Sequence, residues 1–257
     1  MKLSVAIITF NEERNLGRTL ESVKGADEII VVDSGSTDRT IDIAHSYGAK
    51  VFTEEWKGFA AQKNSALEKC TCDWVLSLDA DEEVTPQLAE EIARELNGHP
   101  DEDGYFIPRR NMFLGRWIRR GGFYPDAKLR LFKRSEGSFI NRPVHETARI
   151  HVTPGCLRCD LVHQAYPTLE TYIEHMNRYS TLGAQVAANQ GKTSRSLPAF
   201  VWNVLLNPLA TFLYNYVLRL GFLDGREGLL LHLYHSVYVS WKYAKAWRIS
   251  TPSDVSA

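Results

Sequence analysis

Trp74-Val75-Leu76-Ser77-Leu78-Asp79-Ala80-Asp81-Glu82 passes from an apolar run directly into three carboxylates within four residues. A short, continuous apolar run of this kind is the mark of a strand buried on both faces, as in a parallel sheet covered by helices. Two carboxylates one residue apart at its end, Asp79 and Asp81, can leave the pleat and converge on one hard divalent cation, with water and diphosphate oxygens completing the shell. An aspartyl-phosphate nucleophile motif is set aside because its fifth position is Glu83 and the strand is the fourth of its domain, not the first.

Working outward, residues 3–10, 28–33 and 50–54 supply three further strand-like runs. Amphipathic stretches lie between them. Asn11 is expected to cap a helix to about Val23, Thr37 with Asp38 to open one that stops at Gly48, and Thr85-Pro86 to start one reaching Leu96. This alternation predicts an α/β fold with right-handed crossovers. In such sheets ligands bind beyond the carboxyl ends of the strands. Thr9-Phe10-Asn11-Glu12, the turn from Asp33 to Asp38, and Asp79 to Glu82 are therefore expected on one edge. Asp33 can accept the imide N–H of a uracil ring there, with Ser36, Thr37 or Asp38 left to cap the following helix. No G-x-G-x-x-G follows the first strand, which argues against a dinucleotide site.

The 257 residues include 30 Lys plus Arg, 31 Asp plus Glu and 44% hydrophobic residues, enough for a substantial core and too apolar for a disordered chain. The net charge of −1 hides a division, −12 over residues 1–104 and +11 over residues 105–257. An acidic part suits cations; a basic part suits phosphates, carboxylates or an anionic membrane. The division predicts a nucleotide-sugar half at 1–104, an acceptor-binding and catalytic half of the same domain at 105–165, and a helical region at 166–257.

Residues 105–135 hold nine Arg or Lys and one acid, interleaved with aromatics. That pattern reads as an anion-binding surface. Neither a helix-turn-helix, an RNA-recognition motif nor a nucleic-acid zinc finger accompanies it, so nucleic acid is not the expected partner. Residues 168–190 read as a long helix, and residues 196–218 carry no charge at all. That length matches a membrane span. Pro198, Asn203, Asn207, Pro208 and Asn215 interrupt it, and the aromatic and cationic residues from Trp202 to Arg248 favour an element at the membrane surface. A helical cap or a homo-oligomer interface is the alternative. The apolar run after Lys2 is too short for a secretory signal, giving an expectation of a cytoplasmic protein attached peripherally to the inner leaflet of the membrane. Cys70-x-Cys72 and Cys156-x-x-Cys159 could together hold a zinc ion, but the one-residue spacing of the first pair is unusual for such a site, and reduced thiols are favoured.

Four motifs in order, Ser4 to Glu12, Ile29 to Asp38, Gln62-Lys63-Asn64-Ser65-Ala66 and Leu76 to Glu82, resemble the inverting glycosyltransferase family 2 with the GT-A fold. The resemblance covers roughly residues 3–165. Gly115 to Asp126, Arg130-Leu131-Phe132 and Val144-His145-Glu146 further resemble lipopolysaccharide core enzymes that add glucose to an inner-core heptose. It implies a Rossmann-like mixed sheet that binds a UDP-sugar, followed by a C-terminal helical extension. Thr9, Asn11 and Glu12 would line the nucleoside pocket, Asp33 would read uracil, and Lys63, Asn64 and Asp79 would lie beside the donor. Asp81 would hold Mn²⁺ or Mg²⁺, with His163 completing the metal shell.

Inversion needs a base for the acceptor hydroxyl. Glu146 is the first candidate and Asp126 the second. Arg116, Trp117, Arg119, Arg120 and Arg130 suit an acceptor bearing carboxylates or phosphates, such as a lipid-linked glycan. A hexose, glucose from UDP-glucose first, is the expected cargo. A polyprenyl-phosphate acceptor, a peptide acceptor and a non-catalytic sugar-nucleotide sensor are the alternatives.

Overall fold

The computed structural model describes residues 1–98, 100, 102–140, 147–149 (as backbone) and 154–251. The chain folds into two compact units, Met1–Asn111 with Pro125–Ala165, and Met112–Tyr124 with Tyr166–Ala257.

The first unit begins β1 (Leu3–Thr9), α1 (Leu16–Ser22), β2 (Glu28–Asp33), α2 (Thr40–Ser46), β3 (Lys50–Thr53), α3 (Phe59–Lys69) and β4 (Trp74–Asp79). It continues with β5 (Glu82–Val84), α4 (Pro86–Asn97), β6 (Gly104–Ile107) and β7 (Arg109–Phe113), which leads into the second unit. There, β8 (Arg116–Trp117) pairs back on β7. After the return come β9 (Lys128–Lys133), β10 (Ser138–Ile140), β11 (Thr147–Arg149), β12 (Gly155–Cys156) and β13 (Leu161–Tyr166).

Seven strands form one mixed sheet in the order β12-β6-β9-β4-β1-β2-β3. The four strand runs expected from sequence are the parallel half, β4-β1-β2-β3, in which Val5 pairs with Ile29 and Leu76. β9 joins antiparallel to both β4 and β6. Val5, Ile7, Val31, Leu76 and Leu78 meet Leu16, Leu20, Leu88 and Ile92 on one face; Ala6, Ile30, Val32 and Val75 meet Ala60, Ala66 and Leu67 on the other. Burial on both faces explains the continuous apolar strands. At the far end of the sheet Glu28 is buried, accepting from Ser4 Oγ at 2.6 Å, Lys50 Nζ at 2.8 Å and the backbone of Thr71 at 2.7 Å.

Thr85 caps α4 by accepting from the Leu88 N–H at 3.2 Å, as its position before Pro86 predicts. The first helix differs from expectation. Asn11 adopts φ 56° and its side chain accepts from the Thr37 N–H at 2.9 Å, so it joins two loops, and α1 starts only at Leu16. The second helix starts at Thr40, after Asp38, and Gly48 provides the expected left-handed stop at φ 74°. The four cysteines are free thiols.

In the second unit, β7 and β8 turn through Leu114 and Gly115, both with positive φ, the geometry a two-residue hairpin requires. α5 (Leu169–Asn189) packs along a C-terminal helix, Gly225–Ser250, through Ala184, Ala187 and Ala246. Between them lies the uncharged helical stretch Leu197–Leu218, long and apolar enough to cross a membrane, with Pro208 buried and the rest half-buried or exposed. Pro208 has no N–H for the Val204 carbonyl, and the helix widens over Trp202–Leu206. Ser240 Oγ donates to that carbonyl instead, at 2.9 Å.

Candidate functional site

The carboxyl ends of β1, β2 and β4 bring the quoted polar motifs to one edge of the sheet. Two loops are laced together there. Asn11 N donates to Ser36 Oγ at 2.8 Å, Glu12 N to Thr40 Oγ1 at 2.7 Å, and Glu13 N to Asp38 Oδ2 at 3.1 Å. Asp33 is wholly buried and accepts four hydrogen bonds, from the N–H groups of Gly35 and Ser36 and the hydroxyls of Thr9 and Ser36. Gly35 at φ 89° allows the turn to wrap the carboxylate.

Beyond β4 lies a compact lattice of charges. Asp79 pairs with Lys63 at 2.7 Å and with Arg130. Glu82 is fully buried; its Oε1 accepts from Arg109 Nη1 at 2.8 Å and Arg130 Nη2 at 2.6 Å, and its Oε2 from the Asp79 N–H at 3.0 Å. Asp126 accepts from Arg109, from Asn111 Nδ2 at 3.1 Å and from Lys128 Nζ at 2.8 Å. Burial alone would raise the carboxyls of Asp79 and Asp126. Arg130 and Lys63 hold Asp79 well below its ordinary range nonetheless, and Arg109 and Lys128 do the same to Asp126.

Asp81 is treated differently. Among the described residues its ion-pair partner is an imidazole, His163 Nε2, 3.3 Å from Oδ2. β13 brings His163 there by pairing antiparallel with β5, His163 opposite Glu82. Burial raises the Asp81 carboxyl and His163 outweighs it, leaving the group below its ordinary value. Burial also raises Glu12, with Asp81, Asp38 and Asp79 adding to the effect. A carboxylate and an imidazole side by side form a mixed O,N donor set suited to Mn²⁺, and their separation is close to the roughly 3 Å edge between adjacent ligands of a six-coordinate ion. Asp81 and His163 therefore fit a divalent cation, whereas Asp79 is already neutralised. No cluster of three or more potential ligands occurs among the described residues.

The expected site residues divide. Thr9, Asn11, Glu12, Asp33, Lys63, Asp79, Asp81, Asp126 and His163 belong to this edge or its charge lattice. Lys63 is buried, not a solvated helix charge. Asn64 is turned to β10, where it donates to the Phe139 carbonyl at 2.9 Å and accepts from its N–H at 2.8 Å. Arg130, expected at the acceptor, is instead buried between Asp79 and Glu82. Arg116, Trp117, Arg119 and Arg120 lie in the second unit. Arg119 and Arg120 are exposed, Arg119 stacks 4.4 Å over Trp117, and their N–H groups both donate to the buried carboxylate of Asp224, at 3.1 and 2.8 Å. Glu146 and the adjacent His145 lie outside the described residues.

Asn111 was not expected at the site; Glu82 was expected on this edge without a stated partner, and Arg109 in the basic stretch that suits an anionic acceptor, not beside Glu82 and Asp126. Period-two alternation places Arg109 and Asn111 on the same side of β7, which is the signal that links Asn111 to the charge lattice.

Residues 4–158 match the model of the glycosyl transferase family 2 domain. The chain belongs to that family. As a family 2 glycosyltransferase it is an enzyme with the GT-A fold, the mixed sheet described above. It is 32% identical to the lipopolysaccharide core biosynthesis glycosyltransferase LpsC of Rhizobium meliloti (strain 1021), covering 88% of this chain and 82% of that one. An uncharacterized glycosyltransferase of Rickettsia typhi is 33% identical, covering 88% and 80%. Among solved structures, S. aureus TarS 1-349 in complex with UDP-GlcNAc matches with 16% identity and a TM-score of 0.48, covering 98% of this chain and 93% of that one.

Proposed function

We propose that this glycosyltransferase transfers a hexose, glucose from UDP-glucose first, with inversion onto a sugar of a membrane-anchored anionic glycan such as the lipopolysaccharide core. The observation that carries the reading is the contrast between Asp79, Glu82 and Asp126, each neutralised by Lys or Arg, and Asp81, whose ion-pair partner among the described residues is an imidazole. Asp81 and His163 would hold Mn²⁺ or Mg²⁺. The bound cation supplies charge neutralisation to the departing diphosphate.

The chain's own groups do the rest. Thr9, Asn11 and Glu12 border the nucleoside, and the uracil imide N–H takes the place of the Ser36 hydroxyl on Asp33. Lys63 and Arg130 hold Asp79 ionised beside the donor and keep like charges from accumulating there. The base must take a proton from the acceptor hydroxyl, so a carboxylate pinned far below its normal range is a poor one. Asp126 is such a group, which favours Glu146.

Arg116, Arg119 and Arg120 would bind acceptor phosphates or carboxylates, with the Asp224 bonds fixing the loop that carries two of them. The exposed Leu205, Leu209 and Leu213, spaced by four residues, would lie in the inner leaflet from the cytoplasmic side, with Arg195 and Arg219 at the ends of the stretch among headgroups.

The test is turnover of UDP- and GDP-sugars with a lipid-glycan extract, followed by NMR of the product's anomeric centre. One UDP-hexose should be consumed, with inversion, and Glu146→Gln should lose on the order of a hundredfold or more in rate. Binding without turnover on any acceptor, or retention at the anomeric carbon, would contradict the reading.

A further inference from the structure

We propose that Asn111 and Asp126 are positioning residues that fix the imidazole of His163 so that its Nε2 lone pair, and not an N–H, is presented to a cation at Asp81. The inference deepens the metal-assisted reading above and rests on it.

Arg109 and Lys128 keep Asp126 ionised, so its oxygens only accept, and the group 3.1 Å from Oδ2 must be the amide NH₂ of Asn111. That fixes the amide. Turning Asn111 over would bring its carbonyl oxygen against a carboxylate. With the NH₂ on Asp126, Asn111 Oδ1 faces His163 Nδ1 at 2.7 Å. An amide oxygen carries no proton, so Nδ1 must donate. The other ring nitrogen, Nε2, is then the ligating one, 3.3 Å from Asp81 Oδ2.

In the neutral ring this leaves a lone pair facing a carboxylate, a contact completed when something positive, a second proton or a cation, joins the pair. An imidazole free to choose would donate Nε2–H to Asp81 and close the seat with its own proton. Asn111 withholds that neutral tautomer. A partner on the far nitrogen of a ligating histidine sets ring orientation and basicity, and its loss typically weakens metal binding about 10–100-fold. Asp126 thereby acquires a role distinct from the catalytic base: its fixed charge orients an amide, which orients a ring.

The test uses the full chain. Mn²⁺ affinity is read by EPR of the free ion, and the ring state of His163 by imidazole ¹⁵N spectra of the Cd²⁺-loaded protein. Wild type should show a protonated Nδ1 and a ligated Nε2. Asn111→Leu should bind Mn²⁺ about 10–100-fold more weakly. Asn111→Asp should weaken it too, because two carboxylates then face each other; combining it with Asp126→Asn restores one donor and one acceptor at equal total charge and should recover most of the affinity. If the Leu variant does not fold, this exchange and the wild-type spectrum decide. Ligation through Nδ1, wild-type affinity in Asn111→Leu, or an exchange no better than Asn111→Asp alone would overturn the positioning role. A wild type that binds no Mn²⁺ overturns the metal-assisted reading itself, a separate result.

Discussion

Arg130 and Glu82 form an ion pair withdrawn from water, 2.6 Å apart, with side-chain exposures of 6% and 0%. Neither residue can lose its partner cheaply, because the remaining charge stays buried. Arg130→Met should therefore destabilise the protein by about 3–5 kcal/mol, measured by urea denaturation, since it leaves Glu82 and Asp79 with less compensation. A loss below about 1 kcal/mol would mean that the lattice is loosely solvated.

Acid should weaken the other end of the sheet. Burial pushes the Glu28 carboxyl up, but hydrogen bonds from Lys50, Ser4 and Thr71 outweigh it and bring it down to about 2. The unfolded chain therefore binds more protons at this residue than the folded one between its ordinary value and about 2. Its stabilisation is complete above pH 4.5 and disappears as pH falls toward 2. Glu28→Gln should flatten the stability profile in that window by on the order of 2 kcal/mol, as followed by chemical denaturation at stepped pH. An unchanged slope would remove Glu28 from the acid response.

The parallel half of the fold was legible because β1, β2 and β4 are buried on both faces and end in polar turns. α3 was not. Its buried positions are Ala60, Gln62, Lys63, Ser65, Ala66 and Leu67, a mixture of small and polar residues with no apolar stripe for a periodicity argument to find. Asn11 illustrates a second limit: a residue suited to an N-cap served instead to lace two loops, because Ser36 and Thr37 from another turn came within reach. At the site, Asp81 was expected from the carboxylate pair at the end of β4 and His163 beside it, and the two are adjacent in the structure, but Arg130 was assigned by its neighbours in an arginine-rich stretch. β9 is buried on both faces from Leu129 to Phe132, which carries Arg130 inside among carboxylates, and only the register of β9 on β4 and β6 reveals that.

The arginine loop should act on the acceptor and not on the donor. Arg119→Ala with Arg120→Ala is expected to raise the KM for a phosphorylated or carboxylated acceptor about tenfold or more while leaving the UDP-sugar KM unchanged, in steady-state assays. A matching rise in the donor KM would place these arginines in another role.

The apolar helix should be read by lipid. Leu205→Glu with Leu209→Glu is expected to abolish sedimentation with vesicles of three parts phosphatidylcholine to one part phosphatidylglycerol, leaving the circular-dichroism spectrum intact. If instead the wild type ignores vesicles and sediments as a dimer that the same variant dissociates, the exposed face is an interface between copies.

The proposed role of Asp81 is to seat the cation on which transfer depends. UDP release should be measured for wild type and Asp81→Ala, with Mn²⁺ and with chelator, in the presence of UDP-glucose and the lipid-glycan extract. Wild type should turn over with Mn²⁺ alone, lose turnover on chelation, and exceed a folded Asp81→Ala at least a hundredfold at any Mn²⁺ concentration. Chelator-resistant turnover, or an Asp81→Ala enzyme with wild-type rate, would contradict that role.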